Sequence, residues 1–68
     1  MHPENIKDGQ SLRVWIDGSR HAIEGRFVRL DCDCGVLYIV LRVRKPGRLR
    51  AIDDVIPWRW IVDIQRNI

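Results

Sequence analysis

A glycine at position 25 sits inside the most strand-prone stretch of the chain, "IEGRFVRLD", residues 23–31. Glycine weakens a strand interior, because it packs no side chain and loses much backbone freedom. It is therefore placed where a strand must bend, bulge or meet another backbone closely. The flanking sequence narrows the choice. "SLRVWID" (11–17) alternates Leu12, Val14 and Ile16 against Arg13, Trp15 and Asp17, the pattern of a half-buried strand. "HAIEGRFVRLD" (21–31) reads as a long second strand and "VLYIVLRVR" (36–44) as a third. The third opens with six apolar residues, which predicts that both of its faces are covered. "RLRAIDDVI" (48–56) and "WRWIVDIQ" (58–65) supply a fourth and a fifth, separated by Pro57, which cannot donate to a ladder. The fifth alternates Trp58, Trp60, Val62 and Ile64 against Arg59, Ile61 and Asp63, unless a helical turn at Pro57 shifts that parity.

The connections are short. "DGSR" and "CDCG" carry turn signals, and "KPGR" fits a type II turn with Pro46 second and Gly47 third. Five short strands in 68 residues predict an all-β fold, a strongly bent small β-barrel. A barrel this small needs one long strand that serves both halves, so Gly25 is assigned as the bend and Asp31 as the point where that strand leaves the sheet. The competing reading is that Gly25 relieves a crowded contact with an aromatic neighbour. Residues 1–10 form a polar lead-in with room for one helical turn starting at Pro3, and residues 11–68 form the single barrel domain.

Composition matters here because a chain of this size buries only about 60% of its unfolded surface and commonly leans on disulfides, a metal or further subunits. With 46% hydrophobic residues and three tryptophans, it is not a disordered tail. "MHPENIKDGQ" has no apolar signal core, and the longest apolar run, "GVLYIVL", is too short to cross a bilayer. The expectation is a soluble cytoplasmic protein with no membrane partner. Cys32 and Cys34 are separated by one residue, which disfavours a bond between them, and they are expected to be small buried free thiols. A zinc site needs about four ligands, and only His2 and His21 remain as soft partners. No metal or cofactor is expected within one chain, although a site shared between subunits stays open.

The order Val14, Gly18, Gly25, Phe27, Asp31 resembles the first sequence motif of the Sm/LSm (Hfq-like) family. The resemblance covers Leu12 to Leu41 and extends to Ile64 as a strand pattern. It implies a bent five-stranded barrel, assembly into homo-oligomeric rings through strand edges, RNA binding, and a loop-ordering role for Asp31. Two features depart from the family. Gly35 stands where an asparagine usually reads a uracil edge, and "IPWRW" replaces the usual Arg-Gly or Lys-His pair. The latter is closer to the proline-containing turn of SH3-like and divergent Sm-like barrels. Uridine specificity is therefore not implied.

Formal charge is +3, but its distribution says more: residues 42–50, "RVRKPGRLR", hold five basic side chains and no acid. If strands three and four pair about a two-residue turn, Arg42 and Arg44 come close to Arg48 and Arg50. Facing like charges destabilise a sheet, so a counter-charge or an anionic partner is expected. Guanidinium groups match phosphate in bidentate geometry, which assigns Arg42, Arg44, Lys45, Arg48 and Arg50 to a nucleic-acid backbone. The plainer reading is a solvated hairpin that discourages edge pairing. Asp31 to Gly35 and Pro57 to Arg59 are placed around any base pocket, with Trp58 and Arg59 among its walls. Trp58, Trp60, Val62 and Ile64 are assigned to an oligomer interface, since "WRWIVDI" is too apolar for a bare edge. Trp58 and Trp60 then divide as one core and one interface residue, and base stacking is the sharper role for one of them.

No enzyme is expected. His21 lies beside a turn with no serine–carboxylate relay, Ser11 and Ser19 fall in loops, and Asp53 and Asp54 point to opposite sides of a strand. Two functions follow. One is an Sm-like ring of identical subunits that binds RNA or single-stranded nucleic acid through basic surfaces. The other is an SH3-like protein-interaction or scaffolding module that uses its tryptophans to hold a peptide.

Overall fold

The computed structural model describes residues 6–67, so the helical turn expected from Pro3 lies largely outside the described residues. Five strands form one antiparallel sheet: β1 (Ser11–Ile16), β2 (Ile23–Asp33), β3 (Val36–Val43), β4 (Ile52–Pro57) and β5 (Ile61–Asn67). A 3-10 helix, Trp58–Trp60, joins β4 to β5. The order across the sheet is β4-β3-β2-β1-β5, and hydrogen bonding does not close it into a barrel. The all-β expectation with five strands holds at that level.

The core explains the sheet's shape. Leu12 and Val14 from β1, Phe27 from β2, Ile39, Leu41 and Val43 from β3 and Ile56 from β4 form one buried cluster. Ile61 and Ile64 from β5 pack against it, as does Trp58. Strands at opposite ends of the sheet thus share a single core. Among the described residues no second layer covers the apolar face; Ile6 and Trp58 pack on part of it, and the sheet covers the rest by curling. Val40, on the other face of β3, is also buried, so this part of the third strand is covered on both sides as expected.

Gly25 sits where β2 changes partners. β2 pairs with β1 over Ile23–Arg26 and with β3 over Arg26–Asp33. A Cβ at Gly25 would lie 2.8 Å from the Arg42 carbonyl oxygen and 3.0 Å from Val43 Cγ2. The crowding group is the β3 backbone, not an aromatic ring. A bulge then leaves Val28 without a partner between Phe27, opposite Leu41, and Arg29, opposite Val40. That extra residue lets Phe27 and Leu30, three apart, both reach the core.

Several boundaries differ from expectation. β2 does not end at Asp31, which pairs with Tyr38; the strand runs on to Asp33. The β2–β3 turn is only Cys34–Gly35, both with positive φ (50° and 77°), as a two-residue I′ hairpin requires. Cys32 and Cys34 are consequently exposed free thiols, not buried ones. β4 begins at Ile52, so Arg48, Leu49 and Arg50 lie in a loop. The Pro46–Gly47 turn does form, with Gly47 at φ 78° and the Arg48 amide donating to the Lys45 carbonyl at 3.2 Å. Pairing outward from it, however, would set Arg50 opposite Val43 and Asp54 opposite Ile39 on the core face. The observed register sets Ile52 opposite Val43 and Ile56 opposite Ile39. Core burial overrides the local turn, and residues 44–51 are left unpaired.

β5 starts at Ile61, because Trp58–Trp60 are helical and not extended. Its register with β1 slips between Trp15, opposite Asp63, and Ile16, opposite Ile61. Val62 is the extra residue. The slip turns Ile61 and Ile64 inward and leaves Val62 outward, which overturns the expectation that Val62 and Ile64 share an interface face. Gly25→Ala should cost about 1–3 kcal/mol, since the new methyl meets backbone that cannot easily yield. Urea unfolding checks this, and wild-type stability in the variant would contradict the close approach.

Candidate nucleic-acid interface

The residues assigned from sequence fall into three places. The first is a pocket of about 250 Å³ between the β2–β3 turn and the 3-10 helix, lined by Gly35, Val36, Leu37, Trp58 and Arg59. Two constraints set its walls. The I′ turn brings Gly35 back over the start of β3. The 3-10 helix is held by the Ile61 amide, which donates to the Trp58 carbonyl, and by the Asp17 amide, which donates to the Trp60 carbonyl at 2.8 Å. Trp58 is half-buried, one part against the core and one part on the pocket, while Arg59 is exposed. An aromatic face, a guanidinium and a glycine with no side chain in the way can hold a flat π system. Asp31 is not in this pocket. Its carboxylate accepts the Cys32 amide at 2.9 Å and lies 3.7 Å from Arg29 Nε, so it orders the strand end before the turn.

The second place is the β3–β4 loop and the outer face behind it. The counter-charges expected for the arginines come from β4: Arg42 Nε lies 3.2 Å from Asp53 Oδ1, and Lys45 Nζ lies 3.9 Å from Asp54 Oδ1. Asp53 and Asp54 therefore have a structural task. Among the described residues, no carboxylate lies within ion-pair distance of Arg44, Arg48 or Arg50. Arg48 and Arg50 flank Leu49, which is 97% exposed. Arg42 and Arg44 do not face Arg48 and Arg50. Instead they line an open groove of about 480 Å³ with Ser11, Glu24, Gly25 and Arg26. Arg26, directly opposite Arg42, is missed by sequence reasoning. The Val28 bulge shifts that register, and no local residue pattern announces a bulge.

The third place is the pair of sheet edges. Among the described residues, β4 pairs only with β3 and β5 only with β1, so each has one flank that no described strand covers. Val55 on β4 and Val62 on β5 are more than half exposed, as is Trp60 beside β5. Trp58 and Trp60 do divide into one residue packed on the core and one exposed residue.

No family model, curated protein or solved structure matches the chain. Its function must be read from the arrangement of its own residues. No helix among the described residues is long and apolar enough to cross a membrane. Trp58→Ala should destabilise the domain by about 2 kcal/mol, roughly half the cost at a fully buried site, and Trp60→Ala by less than about 0.5 kcal/mol. Chemical denaturation at a protein concentration low enough to disfavour assembly checks the contrast; equal losses would contradict the division.

Proposed function

We propose that this chain is a divergent Sm-like small β-barrel protein that assembles with identical copies into a ring and binds RNA or single-stranded nucleic acid. The observation that carries this reading is the pair of bare edges. β4 and β5 each offer an unpaired backbone flank with an exposed valine, and natural proteins normally cover or charge such edges. Pairing β4 of one copy with β5 of the next satisfies both flanks and covers Val55, Val62 and Trp60. This is the assembly route that the family resemblance implies. A core drawn from both ends of one curled sheet suits the small-barrel type, as does the proline-led helical turn before β5.

Nucleic acid is the favoured ligand for two reasons. Arg44, Lys45, Arg48 and Arg50 cluster on the β3–β4 loop, and a ring multiplies that charge. The Trp58–Arg59–Gly35 pocket has the size and chemistry to seat a base beside it. Binding of this kind releases counterions and weakens steeply with salt, by roughly 0.7 log units of affinity per log unit of salt for each single-strand phosphate contacted. An SH3-like peptide groove built on the same tryptophans would respond far less.

Multi-angle light scattering should give a mass several times that of one chain. Val55→Lys and Val62→Lys should each reduce it to the monomer, and a monomeric wild type would overturn the ring. In fluorescence anisotropy with a single-stranded oligonucleotide, Arg48→Glu with Arg50→Glu should abolish binding without unfolding the domain. Undiminished binding would remove the loop from the interface, and salt-independent capture of a peptide instead would favour the scaffold.

A further inference from the structure

The groove behind the β3–β4 loop has a charge pattern that the loop itself does not share. Ser11, Arg26, Arg42 and Asp53 form one cross-strand row on the outer face of β1, β2, β3 and β4. Arg26 and Arg42 are directly opposed, an arrangement that destabilises a sheet unless an anion relieves it. Asp53 relieves Arg42. Arg26 has no carboxylate within ion-pair distance among the described residues; its Nη1 donates instead to the Gly9 carbonyl at 3.2 Å. That contact fixes the guanidinium and leaves most of its donors free. Arg44 enters the same groove two residues beyond Arg42, again without a carboxylate partner among the described residues. Glu24 is the one acid on the groove wall, and Arg13 Nε holds its Oε1 at 2.9 Å. Among the described residues, the groove thus holds two guanidiniums without a carboxylate partner, and a hydroxyl.

We propose that this groove receives a phosphomonoester dianion, the terminal phosphate of a nucleic-acid strand or of a nucleotide. Two unbalanced positive charges match a dianion, whereas a backbone phosphodiester leaves one of them unmet. Three terminal oxygens can take bidentate contacts from Arg26 and Arg44 and a hydrogen bond from the Ser11 hydroxyl. The inference deepens the nucleic-acid reading above and rests on it for the identity of the natural ligand, but its chemistry can be tested separately.

The test uses the full chain and three probes: inorganic phosphate, adenosine monophosphate, and one oligonucleotide with or without a 5′-phosphate. In amide NMR spectra at pH 7.5, phosphate and the mononucleotide should shift Ser11, Arg26 and Arg44. The phosphorylated oligonucleotide should bind about tenfold tighter than its hydroxyl twin. Arg26→Ala and Arg44→Ala should each erase that difference, while Arg20→Ala, an equal loss of charge in the β1–β2 loop, should preserve it. The difference should also shrink below about pH 6, where the phosphomonoester loses its second charge and the arginines keep theirs. Equal binding of the two oligonucleotides, both lost on reversing Arg48 and Arg50, would overturn the dianion groove and leave the nucleic-acid reading standing. Groove shifts with phosphate and the mononucleotide, but no oligonucleotide binding, would keep the groove as a nucleotide site and overturn the nucleic-acid reading. Absence of both groove shifts and 5′-phosphate preference would overturn the proposal.

Discussion

This fold is shaped by one apolar face that, among the described residues, has little beyond Ile6 and Trp58 to set against it from outside the strands. Larger proteins cover such a face with helices or a second sheet. Here the face is covered by bringing β4 and β5, the two ends of the strand order, over the same cluster of Leu12, Val14, Phe27, Ile39, Leu41, Val43 and Ile56. Curling to this degree requires β2 to exchange one neighbour for another within a few residues. That exchange is possible only because position 25 has no side chain to strike the carbonyl of Arg42. The bulges at Val28 and Val62 are further expressions of the same demand, since each resets the inward face where a regular pleat would have turned an apolar side chain to water.

The same demand shapes the candidate interface. The Pro46–Gly47 turn is a strong local signal and it forms, yet it does not set the register of the hairpin it begins. Setting Arg50 opposite Val43 and Asp54 opposite Ile39, where Ile52 and Ile56 now sit, would cost more than leaving eight residues unpaired. In the observed register Asp54 stays at the margin of the core face, opposite Leu41 and beside Lys45. The price of a correct core is therefore a long basic loop, and that loop is where Arg48, Leu49 and Arg50 become available to a ligand. Asp53 and Asp54, displaced to the positions opposite Arg42 and Leu41, lie beside Arg42 and Lys45, and Arg26 and Arg44 have no carboxylate partner among the described residues.

How far this could be read from the sequence depended on whether the cause was local. Period-two alternation identified β1, an unbroken apolar run identified β3, and turn chemistry at Gly18, Gly35 and Gly47 located three chain reversals. The glycine in β2 marked the place where that strand passes close to the β3 backbone. What the sequence hid was register. Asp31 read as the point where the long strand leaves the sheet, but its carboxylate is exposed and accepts the Cys32 amide, and the ladder continues past it. Leu49 read as a strand residue, though no core position awaits it. Trp58 and Trp60 read as strand neighbours on one face, but the helical turn after Pro57 sends one onto the core and leaves the other in solvent. Gly35, Trp58 and Arg59 line one pocket because turns bring them together, whereas Arg26 joins Arg42 only through a bulge.

The two uncovered flanks of the sheet belong to different strands, which gives the molecule a polarity. A copy added through them presents, on its far side, the same vacant flank that its predecessor offered. Growth by this contact has no natural stop at two, unlike a self-complementary pair related by a twofold axis. Termination is set by angle alone: a turn per subunit that divides the circle closes the series, and any other yields an endless helical fibre. In the proposed assembly, the tilt between β4 and β5, held through the short helix that Asp17 pins in place, would decide between a discrete particle and a filament.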